Sequence, residues 1–260
     1  MLAKERQQEI ITRLKANGAI TVAELAQSFS VSLETVRRDL LLMEKEGLLS
    51  RVHGGAVSIG EMMPYHPLAC RNQEQSTQKS ALARNAVAFV NEGDYIAIGT
   101  GSTPIHFAQE LKKQLSRLTV VTYSLDVFET LKDVPGFQII LTGGTFVPEE
   151  RAFQGQLTLD TLDSLHVQKA FVFPSSVSLE HGICGYEQTL YPLQQKLLHC
   201  CDQAFILADS SKFERTALFK VSDMHQEYIY ITDPELPQQL QRLYQENGFT
   251  VVTEEKGAIL

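Results

Sequence analysis

The chain has 260 residues, of which 43% are hydrophobic and 21% charged, a balance that predicts a buried core and excludes general disorder. Residues 1–60 carry eight Lys and Arg against seven Asp and Glu, a net charge of +1, whereas the rest carries 15 against 24, a net of −9. The larger part is therefore excluded as an extended nucleic-acid-binding surface, because its negative charge repels phosphate.

Neither a secretory leader nor a membrane span is indicated, because the N-terminus is polar and no apolar run approaches roughly 18 residues. Cys70, Cys184, Cys200 and Cys201 have no C-x-x-C spacing, and the seven histidines have no metal-ligand spacing. His199 next to Cys200 favours core packing over a metal site. We expect a cytoplasmic protein with no metal, no cofactor, no disulfide framework and no membrane partner.

Residues 1–59 predict three helices followed by a hairpin. Apolar residues at helical spacing indicate a first helix that ends before Gly18. Thr21 and Glu24 have the spacing of a capping box and predict the start of a second helix. Ser32 predicts the start of a third helix, whose apolar face comprises Leu33, Val36, Leu40 and Met43.

The predicted hairpin has strands at Leu48–His53 and Ala56–Ile59 around two glycines. A helix with outward-facing Thr35 and Arg38, Arg37 at its flank and a basic hairpin behind it is typical of a winged helix-turn-helix that binds DNA. A solvated pair of charges is the alternative for the arginines. Asp39 is expected to orient an arginine, because a carboxylate repels phosphate. The predicted DNA-binding residues are Ser32, Thr35, Arg37, Arg38, Arg51, His53, Gly54 and Gly55.

Residues 60–78 have no steady period and predict a linker, whereas residues 79–260 alternate between strand-length apolar runs and helical stretches. This alternation is typical of an α/β domain with a mostly parallel sheet. The predicted strands are Tyr95–Ile98, Leu118–Val121, Phe137–Leu141, Ala170–Phe173, Phe205–Ala208 and Tyr228–Ile231. The predicted helices lie around 79–90, 103–115, 125–132, 189–201 and 235–247.

Small polar residues follow four of these strands, where parallel sheets gather their ligand groups. The loop at 99–104 combines glycines and hydroxyls with the start of a helix, which favours a phosphate site over a tight turn with a Ser/Thr cap. The loop at 208–213 adds a carboxylate and an ammonium group, although alone it would equally suit a solvated loop. The candidate effector-binding residues are Thr100, Gly101, Ser102, Thr103, Ser124, Asp126, Gly143, Gly144, Asp209 and Lys212.

With both ends considered, the chain resembles the DeoR family of bacterial sugar-metabolism regulators over essentially its whole length. The resemblance implies a winged helix-turn-helix joined to a sensor domain that binds a phosphorylated sugar, with ligand binding most often relieving repression. Many such regulators carry Asp where this chain has Gly99, and Asn where it has Tyr123. The motifs that carry the resemblance are Val31-Ser32-x-x-Thr35-Val36-Arg37-Arg38-Asp39-Leu40, Arg51-x-His53-Gly54-Gly55-Ala56, the loop at 99–104, Gly143-Gly144 and Asp209-x-Ser211-Lys212-Phe213.

The second part of the chain also resembles pentose-phosphate isomerases, and Lys79 falls where those enzymes place another basic residue. The enzymes carry acid/base carboxylates after a middle strand, whereas here the corresponding stretch, 173–179, has none before Glu180. Isomerisation needs a base to move a proton next to a carbonyl. The resemblance therefore implies a site that holds a sugar phosphate without converting it.

The sequence thus predicts a transcriptional regulator, and not an enzyme. Its expected partners are double-stranded operator DNA, a phosphorylated sugar and further copies of itself, as a dimer or tetramer. We expect a repressor of a sugar or nucleoside utilisation operon. One alternative is an isomerase with a DNA-binding appendage; another is a DNA-binding adaptor whose second domain binds no ligand.

Overall fold

The computed structural model describes residues 2–52, 54–58, 61–62 and 65–254. Its helices are α1 (Ala3–Asn17), α2 (Val22–Phe29), α3 (Leu33–Lys45), α4 (Leu68–Arg71), α5 (Ser76–Val87), α6 (Thr103–Gln114), α7 (Leu125–Leu131), α8 (Gln156–Asp163), α9 (Tyr191–His199) and α10 (Gln238–Glu246). Its strands are β1 (Ala19–Thr21), β2 (Ser50–Val52), β3 (Gly55–Val57), β4 (Glu61–Met62), β5 (Tyr95–Ile98), β6 (Leu118–Thr122), β7 (Phe137–Leu141), β8 (Thr145–Val147), β9 (Ala152–Gln154), β10 (Val167–Val172), β11 (Ser176–Ser178), β12 (Gly182–Gly185), β13 (Cys201–Leu207), β14 (Arg215–Thr216), β15 (Phe219–Ser222), β16 (Ile229–Ile231) and β17 (Thr250–Val252).

The first three helices follow their local signals. The Glu24 backbone N–H donates to Thr21 Oγ1 at 3.2 Å, and the Thr21 N–H donates to the Glu24 carboxylate at 3.4 Å, which completes the capping box of α2. At the start of α3, the Thr35 N–H donates to Ser32 Oγ at 3.1 Å. Gly18 follows α1 with a left-handed φ of 73°. The predicted starts of α2 and α3 are confirmed.

One apolar cluster holds these three helices together, and Val36, Leu40 and Met43 of α3 are buried in it. The prediction that Leu33 shares this buried face is wrong, since its side chain is 48% exposed. Leu33 is the first residue of α3, and helical side chains lean toward the N-terminus of their helix. This side chain therefore extends past the end of α3 into solvent.

Strands β1, β3 and β2 form an antiparallel sheet in that order, here called the wing sheet, and β2 and β3 are the predicted hairpin. Gly55 pairs with Thr21 of β1. A Cβ atom at position 55 would lie 2.1 Å from the Ile20 carbonyl oxygen, so only glycine lets the strands approach here. His53 lies outside the described residues.

The segment 60–78 lacks a period, yet where it is described it forms β4, α4 and the first residues of α5. Strand β4 pairs in parallel with β14, Glu61 lying opposite Arg215. Elements of two and four residues are too short to show a period, which is why the sequence indicated none. The division into domains at 59 and 79 stays a prediction.

Seven strands form a parallel sheet in the order β17-β16-β13-β10-β5-β6-β7, which confirms the predicted α/β fold. All six predicted strands lie in this sheet. One face carries a cluster that includes Leu82 of α5 and Phe107 of α6, and the other carries Leu193 of α9 and Leu240 of α10. The chain builds outward from β5 through β6 and β7, and in the opposite direction from β10. This reversal opens a crevice between β5 and β10 at the carboxyl ends of the strands.

Helix α10 packs the two halves of the chain against each other. Leu240 and Tyr244 of α10 belong to the same apolar cluster as Ala19 of β1 and Val57 of β3. At the edge of this contact, Arg242 Nη1 lies 3.9 Å from a carboxylate oxygen of α2. The wing sheet therefore rests on the last helix of the α/β domain, in addition to its covalent connection.

A buried ion pair ties α1 to α3. Arg6 Nε donates to Asp39 Oδ2 at 2.7 Å and Arg6 Nη2 donates to Asp39 Oδ1 at 3.2 Å, with both residues buried. The expectation that Asp39 orients an arginine is confirmed, and the arginine belongs to α1. Such a bidentate pair fixes the angle between the two helices.

Replacing Asp39 by alanine should destabilise the protein by about 3–5 kcal/mol, because the Arg6 guanidinium stays buried without its counter-charge. Equilibrium unfolding in urea measures the change. The control is Glu34→Ala, which removes an exposed carboxylate 3.8 Å from Arg37 and should cost less than ~1 kcal/mol. Equal losses in the two variants would contradict this role for Asp39.

Glu214 joins α10 to the turn after β13. Its buried carboxylate accepts hydrogen bonds from the Tyr244 hydroxyl at 2.5 Å and from the Leu179 N–H at 3.1 Å. Burial raises the pKa of Glu214 to about 7. Its φ of 53° lies in the left-handed region, which costs a residue other than glycine about 1–3 kcal/mol. The surrounding contacts must hold this residue in place.

The stability of the protein should fall as the pH rises through 7. Because the pKa of Glu214 is higher in the folded chain than its ordinary 4.5, its contribution is fully present below pH 4.5 and is lost as the buried carboxyl ionises. Glu214→Gln should remove about 3 kcal/mol of this pH dependence in urea titrations between pH 4.5 and 8. Glu180→Gln, at an exposed neighbouring carboxylate, should leave it in place; an unaltered profile in Glu214→Gln would refute the assignment.

Candidate nucleic-acid interface and anion site

The outward face of α3 carries four of the residues predicted to contact DNA. Arg37 and Arg38 are exposed and Thr35 is half-buried beside them. Ser32 is committed to the cap of α3, and its Oγ lies 2.9 Å from Thr35 Oγ1. Arg37 Nη1 lies 3.8 Å from a Glu34 carboxylate oxygen, an exposed pair that is weak in water and leaves the guanidinium at the surface. The helix therefore presents two positive charges on its solvent side.

A groove of about 260 Å³ separates α3 from the wing sheet and is lined in part by Arg37 and Arg51. Arg51 is oriented by α3, since its Nη1 lies 3.7 Å from a Glu44 carboxylate oxygen. Gly54 is exposed at the hairpin tip, with a φ of 83°. Gly55 is buried against β1, so its position favours shaping the wing over contacting a ligand directly.

A cavity of about 340 Å³ lies at the carboxyl ends of β5, β10 and β13, where the strand order reverses. Its volume falls within the roughly 300–1,000 Å³ of small-molecule sites. A smaller chamber adjoins it, and the two share Arg71, Phe173, Ser175 and Tyr186. Thr100 lines the smaller chamber. The other predicted residues that line the main cavity are Lys79, Gly101, Ser102, Thr103, Asp209 and Lys212.

The start of α6 supplies hydrogen-bond donors to the cavity. Gly101 has a φ of 131°, and no side chain caps the helix, so its first N–H groups are left for another acceptor. Thr103 Oγ1 is buried and has no hydrogen-bond partner among the described residues. Pro104, in the first turn, has no N–H to satisfy. The positive end of the helix dipole and this unpartnered hydroxyl together suit an anion.

Two lysines add positive charge to the same cavity. Lys79 is 3% exposed, and its ammonium donates to the carbonyl oxygens of Arg71 and, at 2.6 Å, of Glu74. Lys212 Nζ donates to the Pro174 carbonyl at 3.0 Å. Burial lowers the pKa of Lys79 to about 8, helped by the charge of Lys212, and burial also lowers the pKa of Lys212. Their closest hydrogen-bond partners are thus neutral carbonyls, which leaves both charges incompletely balanced.

Asp209, a carboxylate that lines the cavity, balances the charge of Lys212 only in part. Asp209 accepts a hydrogen bond from Ser211 Oγ, and its other oxygen lies 3.8 Å from Lys212 Nζ. The loop after β10 contributes a proline carbonyl and Ser175 to the cavity, and no carboxylate. This chemistry suits binding of an anion.

Arg71 and its partner Glu150 were not predicted from the sequence. Arg71 Nη2 donates to both oxygens of the Glu150 carboxylate, each at 2.5 Å, and Glu150 is 3% exposed. The Tyr65 hydroxyl also donates to Glu150, at 3.1 Å. Arg71 follows no periodic pattern in the sequence, and its position at the cavity depends on a chain path that the sequence does not reveal.

Four predicted residues line neither chamber: Ser124, Asp126, Gly143 and Gly144. Ser124 caps α7, and Asp126 pairs with Arg151 at 2.5 Å. A Cβ atom on Gly144 would lie 2.3 Å from Thr158 Oγ1, so this glycine lets the start of α8 approach. These loops follow β6 and β7. Both strands lie beyond β5 in the sheet, away from the β5–β10 crevice that holds the cavity. Loop composition alone cannot tell on which side a strand lies.

Gly99 and Tyr123, the two positions at which this chain departs from many DeoR regulators, are neighbours in the fold. Tyr123 is fully buried, and its hydroxyl lies 3.3 Å from where a Cβ atom of residue 99 would be. Burial raises the pKa of Tyr123 well above its ordinary value. A side chain at position 99 would be in tight contact with this hydroxyl, so the buried tyrosine leaves little room beside Gly99.

Two further features bear on the kind of site. Among the described residues, no group of three or more His, Cys, Asp and Glu side chains is arranged to hold a metal ion. Within those same ranges, no helix is both long enough and apolar enough to cross a membrane.

Comparison with known proteins gives matches to both parts of the chain. Residues 6–61 match the DeoR-like helix-turn-helix domain, and residues 74–234 match the DeoR C terminal sensor domain. The regulator YulB of Bacillus subtilis is 32% identical over 90% of this chain and 90% of its own length. The lactose phosphotransferase system repressor of Lactococcus lactis is 34% identical over 83% of this chain and 85% of its own.

Among solved structures, ribose 5-phosphate isomerase A of Methanocaldococcus jannaschii aligns with a TM-score of 0.40 and 20% identity, over 54% of this chain and 55% of that one. The family matches cover the basic helix and wing as well as most of the parallel sheet. The chain therefore belongs to the DeoR family of transcriptional regulators, with an N-terminal helix-turn-helix domain and a C-terminal sensor domain.

Proposed function

We propose that this regulator is a repressor of a sugar or nucleoside utilisation operon, and that a phosphorylated sugar bound in the cavity controls its affinity for operator DNA. The observation that carries the proposal is the convergence of Lys79, Lys212 and the uncapped start of α6 on one cavity. A phosphate dianion would balance both lysines and accept from Thr103 Oγ1 and the helix N–H groups. The hydroxyl groups of a sugar would then extend toward the smaller chamber.

The DNA-binding half of the proposal rests on α3 and the wing. Arg38 and Thr35 would contact bases or phosphates in the major groove, with Arg37 at the flank. Arg51 and the Gly54 tip would contact the backbone or minor groove. One such domain makes few contacts, so we propose that the protein acts as a homo-oligomer, a dimer or tetramer, whose domains bind paired half-sites.

The structure offers a route between the two sites. Ser211 lines the effector cavity on one side, and on the other it lines a second cavity with Asn17, Gly18 and Ser58 of the DNA-binding domain. A shift of the Ser210–Lys212 turn on ligand binding would therefore change the contacts directly beside the wing sheet. A ligand changes operator affinity only as far as it binds the two arrangements differently, typically by about 1–3 kcal/mol.

Arg38→Ala should weaken operator binding by about 1–3 kcal/mol and flatten its dependence on salt, because a base or phosphate contact is lost. Gel-shift titrations at several salt concentrations, with DNA from upstream of the gene itself, measure both effects. The matched control is Lys112→Ala, which removes an exposed charge from α6 on the sensor domain. If Arg38→Ala keeps the wild-type affinity and salt slope, Arg38 lies outside the interface.

The sensor should bind sugar phosphates and not the free sugars, because a neutral hydroxyl cannot replace the charge-assisted bonds of a phosphate. A thermal-shift screen that pairs ribose 5-phosphate, glucose 6-phosphate and fructose 6-phosphate with their free sugars tests this. Lys212→Ala should bind the operator normally yet fail to release it with ligand, whereas the exposed Lys220→Ala should respond as wild type. Equal shifts from a sugar and its phosphate would refute the phosphate site.

The same screen separates the alternatives. An isomerase would convert one of the sugar phosphates during incubation, and product analysis detects this. An adaptor with a ligand-free second domain would show no shift with any of the compounds. The family assignment favours the regulator over both.

A further inference from the structure

Arg71 stands at the junction between the two chambers of the effector site. It lines both, and its Nη1 lies 4.0 Å from where a Cβ atom on Gly101 would be, beside the loop that starts α6. The neighbouring positive groups of the main cavity are Lys79 and Lys212, and the charge of Arg71 lowers the pKa of both. Three cations thus face one space, and of them Arg71 alone has a carboxylate as a close hydrogen-bond partner.

The partner of Arg71 orients its guanidinium. Glu150, which lines the smaller chamber, accepts hydrogen bonds from Nη2 of Arg71. Arg71 Nε donates to the His66 carbonyl at 2.8 Å. The aromatic ring of Tyr65 lies 6.0 Å from the guanidinium carbon. These contacts use Nε and Nη2 and leave the Nη1 side directed toward Gly101. A guanidinium held in this way can bind a phosphate without first losing much conformational freedom.

The backbone of Arg71 is tied to the same site. Its carbonyl oxygen accepts a hydrogen bond from the Lys79 ammonium, so a ligand that recruits Lys79 would weaken the hold on α4. Upstream, β4 pairs with β14, three residues after Lys212. The described parts of the segment 61–74 therefore contact the strand that follows Lys212, through β4, and the effector cavity, through Arg71.

We propose that Arg71 is an effector-binding residue, which binds the phosphate together with Lys79 and Lys212 and transmits its presence to the segment leading to the DNA-binding domain. This inference rests on the proposed function of the cavity. The competing explanation is that Arg71 and Glu150 form only a structural ion pair. The two explanations differ in one respect. Changing either partner breaks a structural ion pair equally, whereas binding of a phosphate requires only the arginine.

Isothermal titration of the full-length protein with inorganic phosphate, and with the sugar phosphate that gives the largest shift in the screen, provides the test. Arg71→Ala should weaken binding at least about tenfold, because a hydrogen bond to a charged group is lost. Glu150→Gln removes the ion pair but keeps an amide oxygen that can accept from Nη2 and hold the guanidinium, and it removes a negative charge beside the anion, so it should keep or raise the affinity. Arg71→Lys should fall between, since a lysine keeps the charge and loses the fork.

The control is Arg117→Ala, an exposed arginine directly before β6, at the amino ends of the strands, which should bind phosphate as wild type does. If Arg71→Ala and Glu150→Gln lose affinity alike, or if neither changes it, Arg71 is not a ligand for the phosphate, and the proposed function stands without it. If the wild type itself binds neither inorganic phosphate nor any sugar phosphate, the proposed function fails and this inference fails with it.

Discussion

Two lysines whose closest hydrogen-bond partners are neutral carbonyls, the buried Lys79 and the half-buried Lys212, are the constraint on which the sensor domain depends. A buried ammonium group loses its hydration, and carbonyl oxygens compensate only in part. Lys79 and Lys212 lie at the carboxyl edge of a parallel sheet, where the reversal of strand order leaves a crevice, and both donate to carbonyl oxygens there. The groups around them are arranged for an anion: within the described part of the chain, the start of α6 has no side-chain cap and the buried hydroxyl of Thr103 has no hydrogen-bond partner. The cavity is thus held in a form that a phosphate group would stabilise.

The turn that carries Lys212 also lies beside the DNA-binding domain. The turn that bears Lys212 continues into Glu214, whose carboxylate binds the Tyr244 hydroxyl of α10. Tyr244 packs in one cluster with Ala19 of β1. The turn beside the cavity is thus connected to the wing sheet through Glu214 and Tyr244. Glu214 sits in a left-handed conformation, which is strained for a residue other than glycine.

Features set by local sequence could be predicted, and features set by chain path could not. The capping box of Thr21 and Glu24 and six of the seven strands of the parallel sheet follow from patterns of a few residues, whereas β17 does not. Leu33 was misassigned because its pattern is helical but its position at the helix end is exposed. The loop that contains Gly144 has the composition of a ligand-binding loop, but the strand order places it away from the cavity. Arg71 was missed because only the folded path of an aperiodic segment brings it to the effector site.

The central claim is that the effector cavity and the DNA-binding surface share one equilibrium, and linkage makes that claim measurable. If the sugar phosphate weakens operator affinity by a given factor, operator DNA must weaken sugar-phosphate affinity by the same factor. The direct measurement is calorimetric titration of the full-length protein with the sugar phosphate, alone and with saturating operator. This account predicts a difference in affinity of about 5- to 150-fold, equal to the shift seen in the reverse titration. Equal affinities with and without operator would contradict it.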